Sequence, residues 1–430
     1  MHFADAERFL LSQRRLGMKF GLANMRRALA LLGRPEAALL PVTIAGSKGK
    51  GSTAAMLEAI LLAAGHPAGL YTSPHLVTVR ERLRVCGEPI TARAFGLLAT
   101  RVRAALEGKA PFTYFEWVTA MALAHFAARG ARPAILEVGL GGRLDAVNAA
   151  DARLAVVTEI EREHTEFLGT RLGGIAAEKA GIMRRGAPCL IAASRPAARR
   201  SLAACARRAG AAAHWLDRET DIRVTGHTPR GLVIDLRTPR GVFRGLRVGL
   251  LGRHQARNVA TAVRAAELLE GLGVAVPPAS VRAGLARARW PGRCDWRPGR
   301  PGLLLDGAHT TGSARALRAV IDELFANRRR AFVFGALREK NVAGMARALF
   351  PGAARVLLVR PPEERGADPR ELLARIPAPL RGGCAPRASL RTALEDARTA
   401  AGRDGLVVVA GSLFLVGEAL GLIERGGRLW

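Results

Sequence analysis

Apolar residues recur along this chain in two alternating rhythms. Short β-branched or leucine-rich runs at 42–45, 69–72, 134–138, 154–158 and 189–192 predict buried strands. Longer stretches between them carry apolar residues at helical spacing. These are 5–33, closing near Gly33-Arg34-Pro35, then 54–64, 112–128 and 173–183. Such alternation predicts a mainly parallel sheet covered by helices on both faces. Residues 222–250 change character: apolar positions alternate around two Thr-Pro-Arg-Gly turns, the pattern of antiparallel hairpins. Helices at 254–270 and 278–288 follow. Trp290-Pro291-Gly292-Arg293, with Pro298 and Pro301 beyond, reads as a domain junction. The alternation then restarts, with strands at 303–306, 331–334, 354–359 and 405–410 and a helix at 312–325. The longest apolar run, 406–423, is interrupted by Gly411, Ser412 and Glu418, so it reads as a strand and a core helix rather than a membrane span.

The stretch 42–53, VTIAGSKGKGST, joins the first strand to the second helix through a glycine-rich turn. Glycines let backbone N–H groups close on an anion, the helix N-terminus adds partial positive charge, and a lysine reaches outer phosphates. The spacing departs from the usual phosphate loop: two residues separate Gly46 from Gly49, and Gly51 lies between Lys50 and Ser52. The fold class expected is therefore α/β, with a P-loop domain built on a mainly parallel sheet over 1–292. A smaller Rossmann-like α/β domain is expected over 293–430.

Composition narrows the function. Hydrophobic residues make up 49% of 430, enough for large cores. The net charge is +30, from 66 Lys+Arg against 36 Asp+Glu. Nucleic-acid binding is one reading, and a nucleic-acid-stimulated P-loop ATPase would be its enzyme form. No basic block is interleaved with aromatics, however, and aromatics are only 5%. The charge fits better an enzyme whose substrates are anions. Five scattered cysteines without a CxxC pair fit a reducing cytoplasm, and the N-terminus lacks the apolar core of a secretory signal.

Several residues at predicted strand ends could carry chemistry. Ser52 follows the phosphate lysine, where a hydroxyl usually meets magnesium. Glu137 stands in an apolar strand beside a double-glycine turn, as a salt-bridge partner or a ligand to a hard cation. Ser73 ends a strand and His164 lies in a polar loop after 154–158; alone, they read as a turn residue and a solvated side chain. Together with Ser52 and Glu137 they suffice for magnesium on nucleotide phosphates. A surface ion pair would account for Arg143 and Asp145. Lys179 alone reads as exposed, and Asn258 as a helix cap or polar surface. Asp306 and His309 follow a strand of the second domain, where an acid often reads ribose hydroxyls.

Taken in order, the motifs resemble the dihydrofolate synthase/folylpolyglutamate synthase branch of the Mur ligases, from about residue 19 to 341. GSKGKGST carries the extra glycine of that branch. GLYTSPHL (69–76), TYFE (113–116), LEVGLGGRLDAVN (136–148), HTEFLG (164–169), EKAGI (178–182), GRHQARN (252–258), WPGR (290–293), LDGAH (305–309) and FGALREKN (334–341) follow. The resemblance implies ATP-driven joining of L-glutamate to dihydropteroate and to folates through an acyl phosphate; a monomer is expected. It implies that Gly49, Lys50, Gly51 and Ser52 bind the ATP phosphates. Asn258, Arg293, Asp306 and His309 would complete the nucleotide site, and Lys50, His164, Lys179 and Arg293 would serve catalysis. Ser73, Glu137 and His164 would hold magnesium, with Ser52 near the nucleotide-bound ion of two, and Lys179 would be carbamylated. Gly21, Leu22, Thr113, Tyr114, Phe115, Glu116, Leu144, Asp145 and Ala146 would line the pterin pocket. Another Mur-type ligase acting on a UDP-linked muramyl substrate is the nearest enzyme alternative; TYFE and GLGGRLDA argue against it. The chain departs from the branch at Glu163 and Thr310, where Asp and Asn are usual, and at Lys19 and Ala23, where some bifunctional members carry acids.

Overall fold

A computed structural model describes residues 1–17 and 21–425; Lys19 lies outside the described residues. The chain divides into two compact units. One holds Met1–Arg223, Ile234–Arg247 and Ala256–Ala288; the other holds Val224–Val233, Val248–Gln255 and the chain from Arg289 on.

The first unit is organised on an eight-stranded sheet. Its strands are β1 (Leu40–Ala45), β2 (Gly69–Tyr71), β3 (Leu83–Val85), β4 (Glu88–Pro89), β5 (Pro133–Glu137), β6 (Leu154–Val157), β7 (Pro188–Ile191) and β8 (Ala212–Trp215). Their spatial order is β4-β3-β2-β5-β1-β6-β7-β8. All neighbours from β2 to β8 run parallel; only the β3 and β4 edge is antiparallel. β1 and β5 are buried at every residue, which is why they read as unbroken apolar runs. The helices Lys50–Ala63 and Tyr114–Ala128 are apolar almost all round because both are nearly engulfed. Gly284 lets the helix Pro278–Arg287 close on the first of these: a Cβ there would lie 2.6 Å from the Ala59 carbonyl oxygen. The single helix expected over 5–33 is broken into Phe3–Ser12, a 3-10 turn at Gln13–Leu16 and Ala23–Leu31. Gly17, at a positive φ of 61°, ends the 3-10 turn.

A three-stranded antiparallel meander, β9 (Asp221–Thr228), β10 (Gly231–Thr238) and β11 (Gly241–Val248), forms from the two Thr-Pro-Arg-Gly turns. The second unit carries a six-stranded sheet of β12 (Asp295–Arg297), β13 (Gly302–Asp306), β14 (Arg330–Phe334), β15 (Ala353–Leu358), β16 (Cys384–Pro386) and β17 (Leu406–Ala410). The order is β12-β13-β17-β14-β15-β16, parallel except at β12. The apolar run 406–423 resolves into the central strand β17 and the helix Leu413–Arg425. Among the described residues no helix is long and apolar enough to cross a membrane.

Candidate functional site

β1 ends at Ala45, and the glycine turn that follows is closed from two sides. A Cβ on Gly46 would sit 1.8 Å from Thr158 Oγ1, and one on Gly49 would sit 2.2 Å from Asn258 Oδ1. Gly49 has φ 88°, so both sterics and backbone require glycine there. Ser47 N–H donates to the Glu159 carbonyl at 2.8 Å and its hydroxyl to the Glu161 carbonyl at 3.0 Å, pinning the turn to the loop after β6. Asn258 is not a cap: it stands in the first turn of the helix Gln255–Glu270, facing the loop. Lys50 opens the helix Lys50–Ala63, with Gly51 next and Ser52 buried behind it.

Two ammonium groups converge on one carbonyl. Lys50 Nζ and Lys179 Nζ each donate to the Gly46 oxygen at 2.9 Å, and Lys179 also pairs with Glu163 at 2.9 Å. Lys179, expected to be exposed, is 2% exposed. Its helix, Leu172–Ala180, packs on the Gly142 turn so closely that a Cβ on Gly142 would lie 3.0 Å from the Lys179 Cα. Burial, aided by the Lys50 charge, pulls the Lys179 amine down to about 8 against the pull of Glu163. Burial pushes Glu163 upward, but Lys50, Lys179 and His164 outweigh it and hold the carboxyl below its usual range.

The second group of predicted residues surrounds Gly139. Glu137, 6% exposed at the end of β5, accepts from Ser73 N–H at 3.2 Å. A Cβ on Gly139 would lie 2.9 Å from Phe115 and 3.3 Å from Ser73 Oγ. The turn thus brings Phe115, Ser73 and Glu137 together. Asp145 and Arg143 do not pair with each other. Asp145 accepts from the amides of Gly139, Leu140 and Val147 at 3.0–3.1 Å, and burial pushes it up to about 6. Arg143 instead reaches Glu178 at 2.9 Å. Ala146 is buried in the turn that follows and Leu144 is half-buried. Thr113 and Glu116 cap each other at the start of the helix Tyr114–Ala128, leaving Tyr114 and Phe115 as the half-buried aromatic edge. Gly21 and Leu22 lead into the helix Ala23–Leu31, which packs on that same helix. His164 takes the left-handed conformation, φ 47° and ψ 41°, before the short helix Thr165–Leu168. Such strain in a non-glycine residue concentrates at functional sites.

Among the described residues no three His, Cys, Asp or Glu side chains cluster as a self-sufficient metal site would. A donor set of serine hydroxyls, one carboxylate and one imidazole suits a hard ion completed by phosphate oxygens and water.

In the second unit, Asp306 ends β13 and ties its own loop. Its carboxylate accepts from Cys294 N–H at 2.7 Å and Ala308 N–H at 2.8 Å, and Gly307 N–H donates to the Gly292 carbonyl at 2.9 Å. Arg293 lies across this turn: a Cβ on Gly307 would sit 2.8 Å from its Nη1. His309 Nδ1 donates to the Gly307 carbonyl at 2.7 Å, which leaves Nε2 as an acceptor, and burial lowers its pKa. Thr310 caps the helix Thr311–Leu324 through Ser313. The sequence reading missed His75, Arg82 and Arg14. Arg82 Nε donates to His75 Nδ1 at 2.9 Å, and both arginines stack on Tyr114. No spacing rule points to them, because the turn Val79–Arg82 that aims Arg82 inward is irregular.

Comparison with known proteins places this geometry in context. The Mur ligase middle domain model matches residues 44–266, and the Mur ligase, glutamate ligase domain model matches residues 292–413. A probable bifunctional folylpolyglutamate synthase/dihydropteroate synthase of Haloferax volcanii is 35% identical, over 97% of this chain and 50% of its own; the chain spans about half that relative's length. The dihydrofolate synthase/folylpolyglutamate synthase of Escherichia coli is 33% identical, over 95% of this chain and 93% of its own. The structure of Escherichia coli FolC in complex with DHPP and ADP superposes with a TM-score of 0.87 at 32% identity, covering 99% of this chain and 98% of that one.

Proposed function

The chain belongs to the dihydrofolate synthase/folylpolyglutamate synthase branch of the Mur ligase family, and from that we propose that it adds L-glutamate to dihydropteroate and to folates at the expense of ATP. The observation that carries this reading is the meeting of Lys50 and Lys179 on the Gly46 carbonyl, in a glycine turn with no room for side chains. Lys50, at a helix N-terminus and held by a backbone oxygen, is poised for an anion that outcompetes it.

An acceptor carboxylate attacks the γ-phosphate of ATP, giving an acyl phosphate and ADP. The amine of L-glutamate then attacks the acyl carbon, inorganic phosphate leaves with the bonding pair, and an amide remains. Lys50 exchanges the Gly46 carbonyl for phosphate oxygens, and the backbone amides of Gly49, Gly51 and Ser52 cradle the same phosphates. Asn258 fixes the loop from the side. Arg293, Asp306 and His309 are assigned to nucleotide contacts. Tyr114, Phe115 and the Leu144–Ala146 turn receive the acceptor, with Gly21 and Leu22 at the pocket's edge and Thr113 and Glu116 holding the aromatic edge in place. Ser73, Glu137 and His164, with Ser52 at the nucleotide, would hold two magnesium ions. Bound magnesium supplies charge neutralisation and Lewis-acid polarisation of phosphate oxygens.

Lys179 is the residue we assign to carbamylation. Its amine, lowered to about 8, has a neutral fraction at physiological pH, and that lone pair adds to CO2 with loss of a proton. The product is an anion in a pocket now occupied by a cation. We place the protein in the cytoplasm as a monomer. Its cysteines are unpaired among the described residues, in keeping with a reducing compartment.

Phosphate release in the presence of ATP and magnesium, with and without dihydropteroate, tetrahydrofolate and L-glutamate, tests the assignment. Release that requires both acceptor and glutamate is expected. Release indifferent to pterins but stimulated by DNA or RNA would overturn it.

A further inference from the structure

Arg82 carries a charge that the proposed mechanism leaves unused. It closes the turn Val79–Arg82 and is only 7% exposed, yet among the described residues no carboxylate lies within ion-pair distance of it. Its Nε donates to His75 Nδ1 at 2.9 Å, and its guanidinium carbon lies 5.6 Å from the centre of the Tyr114 ring. Because Nδ1 accepts, the His75 ring is neutral and holds its proton on Nε2, a second donor. Arg14 covers the same Tyr114 ring at 5.1 Å. Two guanidinium groups lie over one aromatic ring, one of them bonded to an imidazole, and among the described residues no carboxylate pairs with either.

The gap is not for want of acids. Glu81, the preceding residue, spends its carboxylate on the amides of Leu76, Val77 and Thr78 at 2.7–2.8 Å. Glu116 is committed to Thr113, and Asp145 to three backbone amides. Each acid of these turns caps a peptide N–H instead of neutralising Arg82. The Arg82 side chain is mostly buried and has no carboxylate partner among the described residues, so its remaining N–H donors are open to an anion from outside the chain.

We infer that Arg82, His75 and Arg14 form a subsite for the spectator carboxylate of a glutamyl acceptor. This rests on the acceptor reading above, which places Tyr114 in the acceptor pocket. Dihydropteroate has one carboxylate, and it is the one activated. A folate ends in glutamate, with two carboxylates, so one is activated and the other remains as a fixed anion. A guanidinium plane takes a carboxylate through two parallel N–H donors, and the imidazole N–H supplies a third. No bond is made or broken here. The subsite discriminates the polyglutamate-forming step from the dihydrofolate-forming one.

The test compares kcat/KM for tetrahydrofolate and dihydropteroate at saturating ATP, magnesium and L-glutamate. In Arg82→Gln the ratio is expected to move toward dihydropteroate by about tenfold, through KM, with Arg82→Lys between it and the wild type. Arg14→Gln, at an exposed side chain, is expected to move the ratio the same way by less. Dihydropteroate turnover reports that each variant is folded; where Arg82→Gln lacks it, the Arg14→Gln ratio decides. A ratio within about twofold of wild type in the deciding variants overturns the subsite. So does a rise in KM for L-glutamate instead, read by titrating it at saturating acceptor, which would assign these cations to the incoming amino acid. A wild-type enzyme inactive with both acceptors overturns the acceptor reading itself, whereas an active one with an unmoved ratio overturns only the subsite.

Discussion

The loop after β1 and the loop after β13 have the same local plan, a parallel strand, a glycine turn and a helix, yet their polar groups are satisfied in opposite ways. After β1, two lysine ammonium groups share the Gly46 carbonyl, and Glu163 is the one carboxylate bonded to either among the described residues, with Asp145 acting from farther off. After β13, Asp306 spends both carboxylate oxygens on Cys294 and Ala308, and Ser313 Oγ accepts from His309 and Thr310. The second loop is closed by its own side chains. The first is left with positive charge that its own groups do not cancel. One sheet end is therefore built to be completed by an anion, while the other is a brace that holds Arg293 and His309 in position. That difference lies in which residues face the turn, since the backbone plan is common to both.

The largest effect should come from removing charge at the open loop. Lys50→Ala is expected to lower kcat/KM for ATP by about 10²–10³-fold, the scale of losing one preorganised charge at a reacting phosphate. Stability should hold or rise slightly, because one of two like charges beside Gly46 is gone. Steady-state ADP release and a urea titration check the two halves. Retained turnover would sink the phosphate role, and loss of folding would make the loop another brace.

Glu163 sharpens the contrast through pH. A lysine lowered in the folded state burdens folding in full below its folded pKa. The burden lifts as pH rises from that value to the unfolded one, because only the unfolded chain still holds the proton. For Lys179 the window opens near 8 and closes at the ordinary lysine value of 10.5. Glu163 opposes the lowering, so Glu163→Gln should open the window at lower pH. The check is urea midpoints from neutral to alkaline pH in CO2-free buffer, with Lys179→Met as a variant lacking the rise. A window that stays put or moves up would contradict the pairing. At the closed loop, Asp306→Asn should cost about 1–3 kcal/mol, because an amide NH2 is set against a backbone N–H donor. A thermal melt as stable as wild type would show that the carboxylate is not the brace.

The sequence carried the interior far better than the edges. β1, β5 and β17 are buried at every residue, so their apolar runs were legible. β4 has two residues and β16 three, with mixed exposure, so period-two patterning had nothing to act on. The helix Pro196–Ala209 buries only Ala198, Leu202 and Ala206, and its alanines and arginines give weak contrast. In the site, the glycine turn declared itself because its backbone demands glycine. Lys179 did not: its burial depends on the close approach of its helix to Gly142, a tertiary fact with no local pattern. Arg82 was hidden for the same reason.

Thr310 gives the smallest and most discriminating comparison. It stands where the branch usually has Asn. Its Oγ1 accepts from Ser313 N–H at 3.1 Å, and Ser313 Oγ accepts from Thr310 N–H at 3.0 Å, so its work is capping. Threonine and asparagine are both good caps, and alanine is not. Thr310→Ala should therefore cost about 1 kcal/mol, and Thr310→Asn should change stability by only a few tenths. KM for ATP should follow the same order, because a frayed helix start loosens the turn that carries His309. If Thr310→Asn instead improved kcat without altering stability, the residue would touch substrate, and the loop after β13 would be less self-contained than its hydrogen bonds make it.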